Sequence, residues 1–209
     1  MDNVTRRSFL GFAAATAACA GVGGVARVLA GEGGLLRPPG GQDEGALVAA
    51  CVRCDRCRSA CPTNAVGVAH VEDGLLQART PVLDFHKGYC DFCGKCQEAC
   101  PTSALKAFDP ARDKLGVAIV QKDRCIAYFE GCVECERACP FGAISLDESK
   151  RPVVDAQSCN GCGLCENVCP ALVYRSFSGG TRRGIVVVSP ERYERLGTTV
   201  VDGESEVVA

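Results

Sequence analysis

Sixteen of the chain's 17 cysteines stand in four blocks of four. They are Cys51, Cys54, Cys57 and Cys61; Cys90, Cys93, Cys96 and Cys100; Cys125, Cys132, Cys135 and Cys139; and Cys159, Cys162, Cys165 and Cys169. Each block ends in Cys-Pro, at Pro62, Pro101, Pro140 and Pro170. The period of roughly 35 residues marks an internal repeat, so one chemistry is written four times. Clustered thiols serve disulfides, zinc or iron–sulfur clusters. Cysteines three apart in one loop are badly placed to bridge each other, which argues against disulfides. A zinc ribbon draws two thiolates from each of two knuckles, whereas here three thiols are closely spaced and a fourth follows.

The spacing C-x2-C-x2-C-x3-C-P is the bacterial ferredoxin run, in which three thiolates hold one [4Fe-4S] cube and the fourth crosses to another. Wrapping three corners of a cube needs a tight loop, and Gly94, Gly161 and Gly163 provide the backbone freedom. The gap before the last cysteine is about one helical turn, and the proline stops that helix. Block three, "CIAYFEGCVECERACP", opens its first gap to six residues, so Cys125 must reach in from a longer loop. All sixteen cysteines are expected to be iron ligands, for four [4Fe-4S] clusters.

The elements between the blocks must position these loops. "AISLDESKRPVVDAQ" reads as a strand at Ala143 to Leu146, a polar turn, and a strand at Pro152 to Asp155. "ALKAFDPARDKLGVAIVQ" and "AVGVAHVEDGLLQARTPVLDF" are expected to repeat that hairpin, and "GIVVVSP" reads as one more strand. The fold class is α+β: two ferredoxin-like modules of two clusters each, with short β-hairpins and helical turns. Residues 1–30 are expected to be a signal, 31–45 a Gly/Pro-rich tether, 46–175 the four-cluster domain, and 176–209 an extension with one strand and a loose tail. The segments are short, so ligation is expected to supply much of the folding free energy and the apo-chain to be largely unfolded.

Thr5-Arg6-Arg7-Ser8-Phe9-Leu10 opens a twin-arginine leader, with a small-residue cleavage site ending at Ala30. That route carries folded proteins, so metal can be inserted before export to the periplasm or the outer face of the cytoplasmic membrane. Without residues 1–30 the chain keeps 20 basic and 24 acidic residues. Four oxidised cubes at roughly −2 each would bring it to about −12, which excludes nucleic acid as a partner. Block one carries Arg53, Arg56 and Arg58, whereas block four carries Glu166 and no base. Positive charge favours the reduced state, so block one is expected to have the higher potential. The chain holds no C-x-x-C-H, no G-x-G-x-x-G after a strand and no phosphate loop. Its two histidines, His70 and His86, read as surface or turn residues. No catalytic residue is expected; the task is moving single electrons.

The leader, the "LLRPPG" stretch at Leu35 to Gly40, "ACVRCDRCRSACP" at Ala50 to Pro62 and the widened third block together resemble the NapG/MauM family of ferredoxin-type proteins. The resemblance implies an exported electron carrier that works with a membrane iron–sulfur quinol oxidase, which would tie it to the membrane, and with an exported reductase or cytochrome, nitrate reductase among them. The alternatives are a tightly bound subunit of an exported molybdopterin oxidoreductase, or a maturation factor for such an enzyme. Adjacency pairs block one with two and three with four. Resemblance to four-cluster subunits of molybdopterin oxidoreductases pairs one with four and two with three, so that Cys61 would complete the site of Cys159, Cys162 and Cys165; that second scheme is the one expected.

Overall fold

The computed structural model describes residues 34–171 and 183–199. The leader, the first residues of the tether, residues 172–182 and the tail beyond 199 lie outside the described residues. Among the described residues, short helices run α1 Glu44–Ala50, α2 Arg56–Ala60, α3 Lys95–Glu98, α4 Glu134–Ala138, α5 Leu164–Asn167 and α6 Pro190–Thr199. Six strands run β1 Val66–Val68, β2 Pro81–Leu83, β3 Val117–Val120, β4 Ile144–Leu146, β5 Pro152–Val154 and β6 Ile185–Val188. The class is α+β.

Three two-stranded antiparallel sheets join these strands. β4 and β5 form the expected hairpin, with Ile144 opposite Val154. Its turn is built on Asp147, whose Oδ1 accepts the N–H groups of Ser149 at 2.9 Å and Arg151 at 2.8 Å, as short acidic side chains do in turns. β1 and β2 pair with Val66 opposite Leu83. Their connection, residues 69–79, contains a 3-10 turn at Val71–Asp73. Within it the His70 N–H donates to the Asp73 carboxylate at 2.7 Å.

The segment between blocks two and three departs from expectation. β3 pairs with β6, Val117 opposite Val188, and not with a strand beside it in sequence. The residues that would have formed the hairpin partner are engaged elsewhere. Lys106 donates its N–H to Gly40 O at 2.9 Å, and Ala104 and Leu105 join Leu47 and Cys96 in a small apolar cluster. α6, which no sequence pattern announces, follows directly from β6.

From Gly34 onward the expected tether is a packed strap. The Leu83 N–H donates to Leu36 O at 2.8 Å, and Pro38–Gly41 closes a turn through Gly41 N–H to Pro38 O at 2.9 Å. Gly40 must remain glycine there: its φ is +84°, and a Cβ would lie 1.9 Å from Lys106 O. Asp43 caps α1 by accepting the Ala46 N–H at 3.0 Å. Arg37 is 3% exposed. It pairs with Glu44 and donates to Thr80 Oγ1 at 2.8 Å and Pro81 O at 3.0 Å. Arg37→Ala would leave three acceptors unmet, and because Glu44 remains partly solvated the expected loss is about 2 kcal/mol, read as a lower unfolding midpoint at unchanged iron content.

Candidate metal centre

Three blocks share one backbone device. In blocks one, two and four the residues on either side of the second cysteine are left-handed: Arg53 and Asp55, Phe92 and Gly94, Gly161 and Gly163, with φ between 55° and 77°. Each pair of reversals curls the loop so that three thiols face inward, and a short helix, α2, α3 or α5, starts at once. Glycine therefore explains block four completely and block two in part; Arg53, Asp55 and Phe92 adopt the same turns at a steric cost of roughly 1 kcal/mol each. In block three Gly131 keeps the first reversal at φ 80°, but Val133 sits at φ −131°. The wider loop absorbs the difference through a 3-10 turn at Ile126–Tyr128.

Block four tolerates no added side chain. A Cβ on Gly161 would lie 2.3 Å from Gly116 N, and one on Gly163 would lie 2.2 Å from the Phe85 ring. Gly163→Ala, which combines a positive φ with that clash, is expected to cost at least about 2 kcal/mol. Iron loss confined to block four, measured against wild type, is the check.

The fourth cysteine of each block is aimed differently. A residue before proline is driven out of the helical region, and Cys61 and Cys139 accordingly end α2 and α4 in extended geometry, at φ −74° and −69°. That turns the fourth thiol away from its own triplet. A turn follows Cys-Pro, with Asn64, Ser103 and Gly142 in the left-handed region, and it returns donors to the sulfur. Ala143 N–H donates to Cys139 Sγ at 3.3 Å, and the hydroxyl of Thr63 lies 3.4 Å from Cys61 Sγ.

The thiols gather in threes plus one. Cys61 lines one cavity with Cys90, Cys93 and Cys96. Cys139 lines another with Cys159, Cys162 and Cys165. Cys135 is surrounded by Cys125, Cys132 and Cys169, and Cys57 has Cys51 and Cys100 beside it, with Cys96 of the neighbouring site also near. Helix α2 packs on α3 and α4 on α5. The expected pairing of one with four and two with three is therefore overturned: Cys139, not Cys61, stands with Cys159, Cys162 and Cys165. Adjacent blocks exchange their fourth cysteines because the Cys-Pro turn delivers each thiol to the nearest neighbouring loop.

All sixteen described cysteines are free thiols. Among the described residues no group of three or more His, Cys, Asp or Glu side chains closes round a single ion; four corners of a cube stand further apart than four donors on one ion. Burial pushes the thiols of Cys57 and Cys96 up to about 11 and those of Cys90 and Cys135 up to about 12, with neighbouring thiols adding to the rise. Such a cavity is unfavourable for bare thiolates and fits them only with a compensating cation. At Cys61 burial acts the same way, but the Thr63 hydroxyl and the N–H groups of Val66, Thr63 and Ala65 outweigh it and hold the thiol below its ordinary value.

Three residues gain roles the sequence did not disclose. Glu166, 7% exposed, accepts the Val187 N–H at 2.7 Å and so pins β6 to block four; burial raises its carboxyl to about 7. His86 is the exposed turn residue that the sequence suggests, and its Nε2 lies 3.6 Å from Glu166 Oε1. Arg183, also buried, donates to Asn167 O at 3.0 Å and Cys169 O at 2.7 Å, while Gly184 N–H donates to Cys169 Sγ at 3.3 Å. The base absent from block four in sequence thus arrives from the extension. Only the apolar run of β6 signalled that the extension docks at all.

Comparison with known proteins places these loops. A model of the 4Fe-4S dicluster domain matches residues 50–104, 89–143 and 124–173, overlapping windows that each contain two adjacent blocks. The ferredoxin-type protein NapG of Escherichia coli (strain K12) and that of Shigella flexneri are each 46% identical to this chain over 50 residues. That stretch is 24% of this chain and 21% of each relative, so the chain matches about a fifth of their length.

Proposed function

Since the chain belongs to the 4Fe-4S dicluster domain family, we propose that it is an exported electron-transfer protein with four [4Fe-4S] clusters in two modules. The first module would use Cys51, Cys54, Cys57 and Cys100 for one cluster and Cys90, Cys93, Cys96 and Cys61 for the other. The second would use Cys125, Cys132, Cys135 and Cys169, and Cys159, Cys162, Cys165 and Cys139. When bound, the clusters supply one-electron chemistry; the chain wraps them, excludes water and sets the charge around them. The observation that carries the reading is the three-plus-one grouping of thiols on left-handed loops, with the fourth thiol delivered from the neighbouring block.

The likeness to NapG and the twin-arginine pattern at residues 5–10 support a periplasmic carrier that takes electrons from a membrane iron–sulfur quinol oxidase and passes them to an exported reductase, such as a nitrate reductase, or to a cytochrome. Among the described residues no helix is long and apolar enough to cross a membrane; the partner is the proposed point of membrane association. Burial supports the order of potentials: of the first module's eight cysteines only Cys96 is buried, against six in the second. A dry site resists the extra negative charge of reduction, so the first module should be reduced first.

The test is iron and acid-labile sulfide per chain on anaerobically purified protein, with electron paramagnetic resonance after dithionite reduction. About sixteen of each with interacting cubane signals are expected; stoichiometric zinc, or disulfides without iron, would overturn the reading.

A further inference from the structure

Blocks that follow one another in sequence need not do so in space. Block four does not lie beyond block three. Its loop is fastened to block two: the Cys90 N–H donates to Cys162 O at 2.8 Å, a hydrogen bond between two cysteines of different modules. Phe92, between Cys90 and Cys93, meets Phe141 edge-on with centroids 5.9 Å apart, and Phe141 lines the cavity of Cys139, Cys159, Cys162 and Cys165. Phe85, just ahead of block two, lies against Gly163 and accepts from Asn167 Nδ2 at 3.0 Å.

The other blocks have contacts of a different kind. Block one packs through α2 on α3 of block two, and Cys51 and Cys57 border the cluster of Leu47 and Leu105. Block three packs through α4 on α5, receives Gly184 against the backbone of Cys125, and has Arg151 from the β4–β5 hairpin stacked over Tyr128 at 4.8 Å.

We infer that the four sites are arranged in space in the order one, two, four, three. The inference rests on the four-cluster reading above. Blocks two and four form the junction between modules, and blocks one and three are the two ends. Each end presents apolar surface beside a ligand loop: Val52 at block one is 61% exposed, and Phe129, within the widened loop of block three, is 60% exposed. The extra residues of block three thus stand at an end of the row, where a redox partner can reach them, and the fourth block of the sequence is interior.

Magnetic coupling between reduced sites reads this order directly. Cys165→Ala and Cys135→Ala each remove one site, and iron should fall to about three quarters of wild type in both. In the reduced Cys165→Ala protein, block three is expected to stand alone and give a sharp, uncoupled signal beside the coupled pair of blocks one and two. In Cys135→Ala the three remaining sites are expected to stay coupled, with no isolated signal. The opposite assignment, an isolated signal in Cys135→Ala and none in Cys165→Ala, restores sequence order and overturns the inference. Wild-type protein without cubane iron would sink the four-cluster reading instead. If the alanine variants do not fold, Cys162→Ser and Cys132→Ser retain an oxygen donor and shift the potential of one site. Reducing the shifted block-four site should broaden the signals of blocks two and three, whereas reducing the shifted block-three site should broaden block four alone; broadening of block two by block three would overturn the order equally.

Discussion

Replacing Cys139 by alanine is expected to strip metal from block four and leave block three loaded, although Cys139 belongs to block three in sequence. The reason is directional. Cys139 ends α4 ahead of Pro140 in extended geometry, its sulfur accepts the Ala143 N–H at 3.3 Å, and it lines the cavity of Cys159, Cys162 and Cys165. Without its fourth thiolate that site would not be expected to retain its cluster, and about a quarter of the iron should disappear. The spectrum of the remaining clusters should match that of Cys165→Ala and differ from that of Cys135→Ala. By the same geometry Cys61→Ala should match Cys96→Ala, since Cys61 lines the cavity of Cys90, Cys93 and Cys96. A Cys61→Ala spectrum matching Cys165→Ala would instead return the pairing of block one with block four and show the Cys-Pro geometry to be misread.

Removing the iron altogether should unfold most of the chain. Cys135, Cys159, Cys165 and Cys169 are themselves members of the larger core, packed with Val66, Ile144 and Ile185. Among the described residues the strands are three or four residues long, and every helix but α6 has seven residues or fewer; elements that short do not persist in water without tertiary support. Without metal the buried thiols lose their compensating charge, and binding free energy that served as folding free energy is gone. Anaerobic chelation should therefore abolish the far-ultraviolet dichroism of the native chain and the amide-exchange protection of β3 and β6, and iron with sulfide should restore both. Retained protection and a sharp thermal transition in the iron-free protein would show that the apolar core folds unaided.

The fold is a means of holding four loops, and residues away from the cysteines show how. Arg37 ties the strap to β2, Glu166 ties β6 to block four, and Arg183 with Gly184 closes over Cys169. None of these contacts has a sequence signature. Arg37 lies in a Gly/Pro-rich stretch that reads as a tether, Glu166 is legible only as the acid of block four, and Arg183 lies some fourteen residues past the last cysteine. Each acquires its role from a partner distant in the chain: Thr80, Val187 and Cys169 respectively.

What the sequence determined by itself is local. Sixteen cysteines at fixed spacing, the Cys-Pro stops, the glycines of block four and the β4–β5 hairpin all follow from interactions within a dozen or so residues, and the structure has them where the sequence puts them. The reversals at Arg53, Asp55 and Phe92 were not legible, since non-glycine residues rarely adopt positive φ and do so here only because neighbouring thiols must face one point. The exchange of fourth cysteines between adjacent blocks, the pairing of β3 with β6 and the junction of blocks two and four were decided by tertiary structure alone. Each joins segments tens of residues apart, and which of several equally apolar strands or equally spaced thiols meet depends on which arrangement packs without a clash: on Gly161 fitting against Gly116, on Gly163 fitting against Phe85, and on Lys106 already being bonded to Gly40.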